Sequence, residues 1–194
     1  MPPFNEARRD QLADAAMRVL ARDGARGLTH RAVDALAGEP AGTTSRYFRT
    51  REALLRGVLE WARQGHFADL ARAPAVAGSR GVREALVAIV HSALTTNRIR
   101  HLAMLELFLE SNRRPELRPP LAETRDTQRR LFRELHRRAG VPITERQAAM
   151  LVNALTGAVF IALTGAPDPD RTAAALALTR AAVVDLHRVV RRGG

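Results

Sequence analysis

LTHRAVDALAGEPAGTTSRYFRTREALL, residues 28–55, is the stretch whose reading decides the fold. Val33, Leu36 and Ala37 recur at helical spacing, so a short helix with one apolar face is expected there. Thr29 is its N-cap, because a hydroxyl oxygen accepts one of the backbone N–H groups that a helix start leaves unpaired. Gly38 stands where a left-handed residue ends the helix, and Pro40 prevents continuation. After Gly42, Thr43 or Thr44 is expected to cap a second, very short helix carrying Ser45, Arg46, Tyr47 and Phe48. Thr50 caps a third, with Glu52 near its positive end and Leu54, Leu55, Val58 and Leu59 facing inward.

Two short helices joined by a tight turn form a helix-turn-helix, whose second helix enters the major groove of DNA. That second helix is poor in apolar residues, with Phe48 as its core anchor. Thr43, Thr44, Arg46 and Tyr47 are left with hydrogen-bonding tips and no evident packing role. The guanidinium fork of Arg46 suits guanine edges or phosphates, and the threonines suit phosphates or a thymine methyl. His30, just inside the cap of the first short helix, is placed to reach a phosphate.

The run DALAGEPAGTTSRYFRTREALL, residues 34–55, resembles the DNA-binding module of TetR-family transcriptional repressors. The amphipathic segment before it extends the resemblance over the N-terminal fifty or so residues. The resemblance implies that Thr29, Tyr47 and Arg51, the last at the start of the following helix, touch phosphates. The chain departs from the commonest family pattern in the turn, where Glu39 and Pro40 replace a small apolar residue, and at Ser45, where a tyrosine is frequent.

Working outward, residues 5–23 form an amphipathic helix with Leu12, Ala16, Val19 and Leu20 on one face, ended by Gly24 and Gly27. The expected core of the three-helix head is Leu12, Ala16, Val19, Leu20, Val33, Leu36, Phe48 and Leu54. The helix opening at Arg51 runs to about Arg72, where Pro74 stops it, and so links the head to the rest of the chain. Beyond Gly81, Val82, Leu86, Ile89, Val90 and Ala93 share a face. Residues 98–112 are apolar almost all round, which calls for burial on several sides. Pro115, Pro119 and Pro120 punctuate a loop before a long helix to about Ala139 with Leu121, Leu131, Phe132 and Leu135 inward. Thr144 and Gln147 have capping-box spacing, and Asp168-Pro169 opens a last helix with Leu176, Leu178, Val183, Val184, Leu186, Val189 and Val190 inward.

Composition agrees with an all-α fold of about nine helices. Apolar residues make up 46% of the chain but aromatics only 4%, so the core is aliphatic and alanine-rich, a helix-forming mixture. Cysteine is absent, which excludes disulfides, zinc fingers and thiol chemistry. The N-terminus shows no signal-peptide pattern, and the nearly uncharged run 150–163 is shorter than the ~20 residues a membrane helix needs. A cytoplasmic protein is expected. All the basic residues are arginines and the net charge is +11, yet residues 1–56 hold ten arginines against seven acids. Most of the excess therefore belongs to solvated helix faces elsewhere in the chain rather than to DNA binding.

The division expected is a helix-turn-helix DNA-binding domain over 1–50 and a helical effector-binding and dimerisation domain over 51–194. Small residues in the last two helices, Gly157, Ala158, Ala174 and Ala181, permit close packing on a second copy. The resemblance likewise implies a homodimer through those helices, a palindromic operator and a small-molecule effector. Trp61, Phe67, Met104, Phe108, Asn153 and Phe160 are the candidate effector contacts, as apolar or adaptable side chains with one polar group. The six histidines lack metal-ligand spacing, Asp185 and His187 diverge on their helix, and no phosphate loop or nucleophile elbow is present. No cofactor, metal or enzymatic activity is expected. The reading is a repressor released from its operator by an effector; the alternative is a helical dimer binding an acidic protein or membrane surface through arginine-rich faces.

Overall fold

The computed structural model describes residues 5–71 and 77–192. Among them are nine α-helices and no strand: α1 (Glu6–Gly27), α2 (His30–Ala37), α3 (Thr43–Tyr47), α4 (Arg51–Ala71), α5 (Gly78–Leu94), α6 (Arg98–Glu110), α7 (Arg118–Arg138), α8 (Glu145–Leu163) and α9 (Pro169–Arg192), with a 3-10 turn at Pro115–Leu117. The fold is all-α. The chain divides into two units, residues 1–66 with 102–119 and residues 67–101 with 120–194, the dividing points falling within α4, α6 and the first turn of α7.

Local capping sets most boundaries. The Thr29 hydroxyl accepts from Ala32 N (3.1 Å) and that of Thr50 from Ala53 N (3.0 Å). Gly38 closes α2 in the left-handed region at φ 68°, the conformation that favours glycine. Thr144 and Gln147 make the expected reciprocal capping box at α8. Gly24 breaks the helical path of α1 at φ 68°, after which one further turn reaches Gly27.

In the first unit Leu12, Ala16, Val19, Leu20, Leu28, Val33, Phe48, Leu54, Leu55 and Val58 are buried, which is the expected head core with one exception. Leu36 is 43% exposed. The buried positions of α2 are Val33 and Asp34, so its inward face is turned toward a polar contact rather than toward Leu36. In the second unit α5, α8 and α9 pack on one another. Ala175, Thr179, Val183 and His187, each four residues apart, form the buried stripe of α9. Leu178, expected inside, lies on the opposite face and is 51% exposed.

Three further expectations are corrected. Within α6 only Ala103 and Leu107 are buried, and Leu109 is exposed, so the helix is not enclosed all round. Pro119 and Pro120 belong to the first turn of α7 rather than to a loop; proline is tolerated there because those N–H groups have no intrahelical acceptor. Thr43 and Thr44 do not cap α3, whose N-cap is Gly42 (φ 89°) with no side-chain cap bond. The expected stop at Pro74 and the side chains of Val189 and Val190 lie outside the described residues. By length and apolar composition α8 is able to cross a membrane, but its buried face packs on α5 and α9 as a core helix does.

Candidate nucleic-acid interface

Helix α3 has five residues, too few to be stable alone, so its neighbours must hold it. At its N-terminal end Asp34 of α2, a buried residue, supplies the acceptors. Its Oδ2 accepts from Gly42 N (2.8 Å), and its Oδ1 from Thr44 N (2.7 Å) and the Thr44 hydroxyl (2.5 Å). Burial alone would raise the Asp34 pKa, but these donors outweigh it and hold the carboxyl below its ordinary range. At the other end His30 Nε2 donates to the Phe48 carbonyl (2.6 Å). The Phe48 ring is buried, with the Arg9 guanidinium 5.4 Å above it. Further contacts tie the turn to α1: Arg8 pairs with Glu39 (3.2 Å), and Gln11 Nε2 donates to Ala37 O (3.1 Å).

The candidate DNA-contacting residues fall into two groups within this frame. Thr29 and Arg46 are exposed, and Tyr47 is half-buried beside Arg46 on the recognition helix. Thr43 and Thr44 are buried and their hydroxyls are engaged within the protein, that of Thr43 donating to Pro40 O (2.7 Å) and that of Thr44 to Asp34. Neither hydroxyl is idle, contrary to the sequence expectation. Arg51 donates through Nη1 to Leu28 O (2.6 Å) and through Nη2 to Ala25 O, and so ties the start of α4 to the end of α1. Arg31 and Arg49 add two exposed guanidinium groups before and after α3.

Two residues that sequence reasoning missed complete the frame. Asp34 was legible only as an acid among apolar neighbours in a short helix. Gly57 of α4 is buried, and a Cβ placed on it would lie 2.3 Å from Phe48 Cε1. The glycine therefore permits α4 to lie against the Phe48 ring.

Of the candidate effector contacts, Trp61, Met104 and Phe108 belong to the first unit, and Phe67, Asn153 and Phe160 to the second. The Trp61 indole N–H donates to Asp14 Oδ1 (3.3 Å). Asn153 is exposed on α8, where Met150, Ala154 and Ile161 are exposed on the same face. Asp185 and His187, set aside as a catalytic pair, are apart: Asp185 pairs with Arg188 (3.2 Å), and His187 is buried with its ring 5.3 Å from that of His136.

A short recognition helix held at both ends by α2, with Arg46 exposed on it, defines the class: a helix-turn-helix regulator. Residues 77–187 match the family model described as the tetracyclin repressor-like C-terminal domain. The chain belongs to the TetR family of transcriptional regulators. It is 30% identical to a TetR-family member from Streptomyces coelicolor (TM-score 0.73), over 92% of this chain and 97% of that one. It is 32% identical to the multidrug binding protein EbrR in complex with proflavin (TM-score 0.61), over 89% and 98% of the two chains. A transcriptional regulator from Rhodococcus, 21% identical over 91% and 96% of the chains, shares the fold (TM-score 0.75). No curated protein gives a significant match.

Proposed function

We propose that the protein is a cytoplasmic repressor that binds a palindromic operator as a homodimer and leaves it when a small molecule binds. The observation that carries this reading is the division of labour around α3: Asp34 and His30 engage its inner side, while Arg46 is exposed on its outer side. In this reading residues 1–50 read DNA. Thr29, Arg46 and Tyr47 touch it, whereas His30, Thr43, Thr44 and Arg51 shape the same surface through the contacts described above.

Residues 51–194 dimerise and bind the effector. Support for a dimer through α8 and α9 comes from their open faces, where Met150 (59% exposed), Ile161 (69%) and Leu178 stand among alanines and Gly157. An apolar face of that kind favours a self-complementary two-fold partner. Two heads related by a two-fold axis then match a two-fold operator. EbrR binds proflavin, ethidium and malachite green, which makes aromatic dye cations the effector class to try first. Trp61, Met104 and Phe108, all of the first unit, and separately Phe67 and Phe160 of the second, are the candidate contacts to be tested unit by unit, and Asn153 belongs with the dimer face. Effector binding acts through α4, whose chain runs from Arg51 in the head into the second unit.

The test is selection of duplexes from a random library near physiological salt, repeated with Arg46→Ala. A two-fold-symmetric motif, with one position relaxed at a cost of ~1–3 kcal/mol in the variant, supports the reading. Binding that merely tracks salt and recovers no motif refutes it. Adding proflavin or ethidium then tests release, with the single tryptophan, Trp61, as a fluorescence reporter.

A further inference from the structure

His30 and Asp34 are four residues apart on α2, so both project from one face of that helix. The two side chains meet opposite ends of α3. Asp34 takes the Gly42 and Thr44 N–H groups at the start, and His30 donates to the Phe48 carbonyl immediately past the end. The pairing follows the polarity of a helix: a carboxylate where N–H groups are unpaired and a donor where carbonyls are unpaired.

Alternatives for holding α3 are few. Its N-cap is a glycine without a side chain, and a helix of five residues has no stability of its own. The Thr43 N–H and hydroxyl are both spent on Pro40 O within the turn (3.1 and 2.7 Å). That bond fixes the turn but does not connect it to α2. Phe48 anchors α3 through its ring, which leaves rotation about that anchor to be fixed by polar contacts.

We infer that His30 and Asp34 form a two-point clamp that sets the pose of the recognition helix, and that Thr44 is the clamp's third member rather than a base reader. The inference rests on the DNA-reading role proposed above and adds to it the residues that determine specificity without touching DNA. Asp34 and His30 are positioning residues. Their loss blurs which bases Arg46 meets while leaving the arginine charges in place. Specific binding therefore falls, and non-specific binding, which depends on phosphate charge, does not.

The test compares the full-length wild type with Asp34→Asn, His30→Leu, His30→Gln and Thr44→Val. Asparagine keeps the size of Asp34 but turns one acceptor into a donor that faces N–H groups. Two probes are used in fluorescence anisotropy at fixed salt, at a temperature where every variant is folded: the duplex selected by the wild type and a scrambled duplex of the same composition. Amide hydrogen exchange is followed in parallel.

Asp34→Asn is expected to weaken binding to the selected duplex ~10–100-fold, as for loss of hydrogen bonds to a charged group, with scrambled-duplex affinity held within ~2-fold. Exchange at Gly42 and Thr44 should quicken by at least ~10-fold, with amides of α8 and α9 unchanged. His30→Leu should act likewise on affinity and quicken exchange at Phe48, and His30→Gln, which retains a donor, should recover part of both. If Asp34→Asn does not fold, Thr44→Val removes one hydroxyl donor, leaves the backbone donors in place and gives the same pattern on a smaller scale. Equal losses on both duplexes, or unaltered exchange at Gly42 and Thr44, would overturn the clamp. Failure of the wild type to select any duplex sinks the DNA-reading role instead, and the exchange data still decide whether the clamp holds α3.

Discussion

Gly57→Ala adds one methyl group at the place where α4 meets the recognition helix. The new Cβ would lie 2.3 Å from Phe48 Cε1 and 3.0 Å from Cδ1 and Cζ. Carbon atoms in contact rest at about 3.5–4.0 Å, so the ring would have to retreat by roughly 1 Å. Phe48 is badly placed to do so: it is buried, its N–H bonds to Thr44 O (2.8 Å), and its carbonyl is held by His30. Overpacking of this kind costs ~1–3 kcal/mol. Against it stands the helix propensity of alanine over glycine, worth about 1 kcal/mol in the opposite direction. The expected net loss is ~0–2 kcal/mol, or a fall in Tm of about 2–4 °C per kcal/mol for a chain of this length. Because the two terms compete, the decisive measurement is a double-mutant cycle. Thermal and urea unfolding are followed by far-UV circular dichroism for Gly57→Ala, Phe48→Leu and the pair. In the Phe48→Leu background the ring atoms that clash are gone, so Gly57→Ala should become neutral or stabilising. An equal effect of Gly57→Ala in both backgrounds, or a stabilised single variant, would refute the close-approach argument.

If the proposed dimer through α8 and α9 forms, Ile161→Glu, which places a charge on the open face of α8, should yield a monomer with helical content retained, as read by sedimentation velocity; a variant that still dimerises removes α8 from the interface. Burial holds the His136 imidazole below its ordinary pKa, so the folded state takes up its proton less readily than the unfolded chain. Stability is therefore insensitive to this group above the ordinary histidine pKa and falls as the pH drops below it; His136→Leu should flatten that part of the urea-midpoint profile, and an unaltered slope would contradict the account. Arg51→Lys replaces a two-nitrogen fork by one ammonium that cannot serve both Ala25 O and Leu28 O, with an expected cost of ~1–2 kcal/mol in unfolding; a variant as stable as the wild type would show that the fork contributes nothing.

The sequence was most informative where the determining partner lies within a few residues. Thr29, Gly38, Thr50 and the pair Thr144 and Gln147 act on backbone groups within a turn of themselves, so residue type and spacing suffice to place them. Apolar periodicity likewise identified Leu12, Val19 and Val33 as core, and Phe48 stood out as the one apolar anchor of its short helix. Several of the failures involve a distant partner. Leu36 reads as core from periodicity, yet α2 is turned so that Asp34 faces inward, because the carboxylate gains three hydrogen bonds from residues 42 and 44. Thr44 reads as a free hydroxyl for the same reason, its acceptor being ten positions earlier. Gly57 carries no local signal of its role, which depends on the Phe48 ring nine positions earlier. The candidate interface was thus legible as a module, while its internal support was not.

The charge illustrates the same limit, and the structure explains it. Composition assigns only a small part of the basic excess to the head, which argued against charge as a sign of DNA binding. Placement changes that weighting. Many arginines pair with acids one turn away, as Arg18 with Asp14, Arg56 with Glu52, and Arg137 and Arg138 with Glu134, whose carboxyl is pulled down to about 2. Others close helix ends with both arms of the fork. Arg51 serves the end of α1, Arg118 donates to Ser111 O and Asn112 O after α6, and Arg171 to Thr164 O and Ala166 O after α8. A guanidinium is suited to this by its planar, divergent donors. Arginines spent in these ways contribute little field toward a polyanion. Arg31, Arg46 and Arg49 are exposed within the helix-turn-helix and form no ion pair among the described residues. Arg46, whose Nη2 donates only to the neutral Thr43 hydroxyl (3.3 Å), and Arg31 and Arg49 keep their charge unneutralised by any acid among those residues, and that charge rather than the net charge of the chain is what a phosphate would meet.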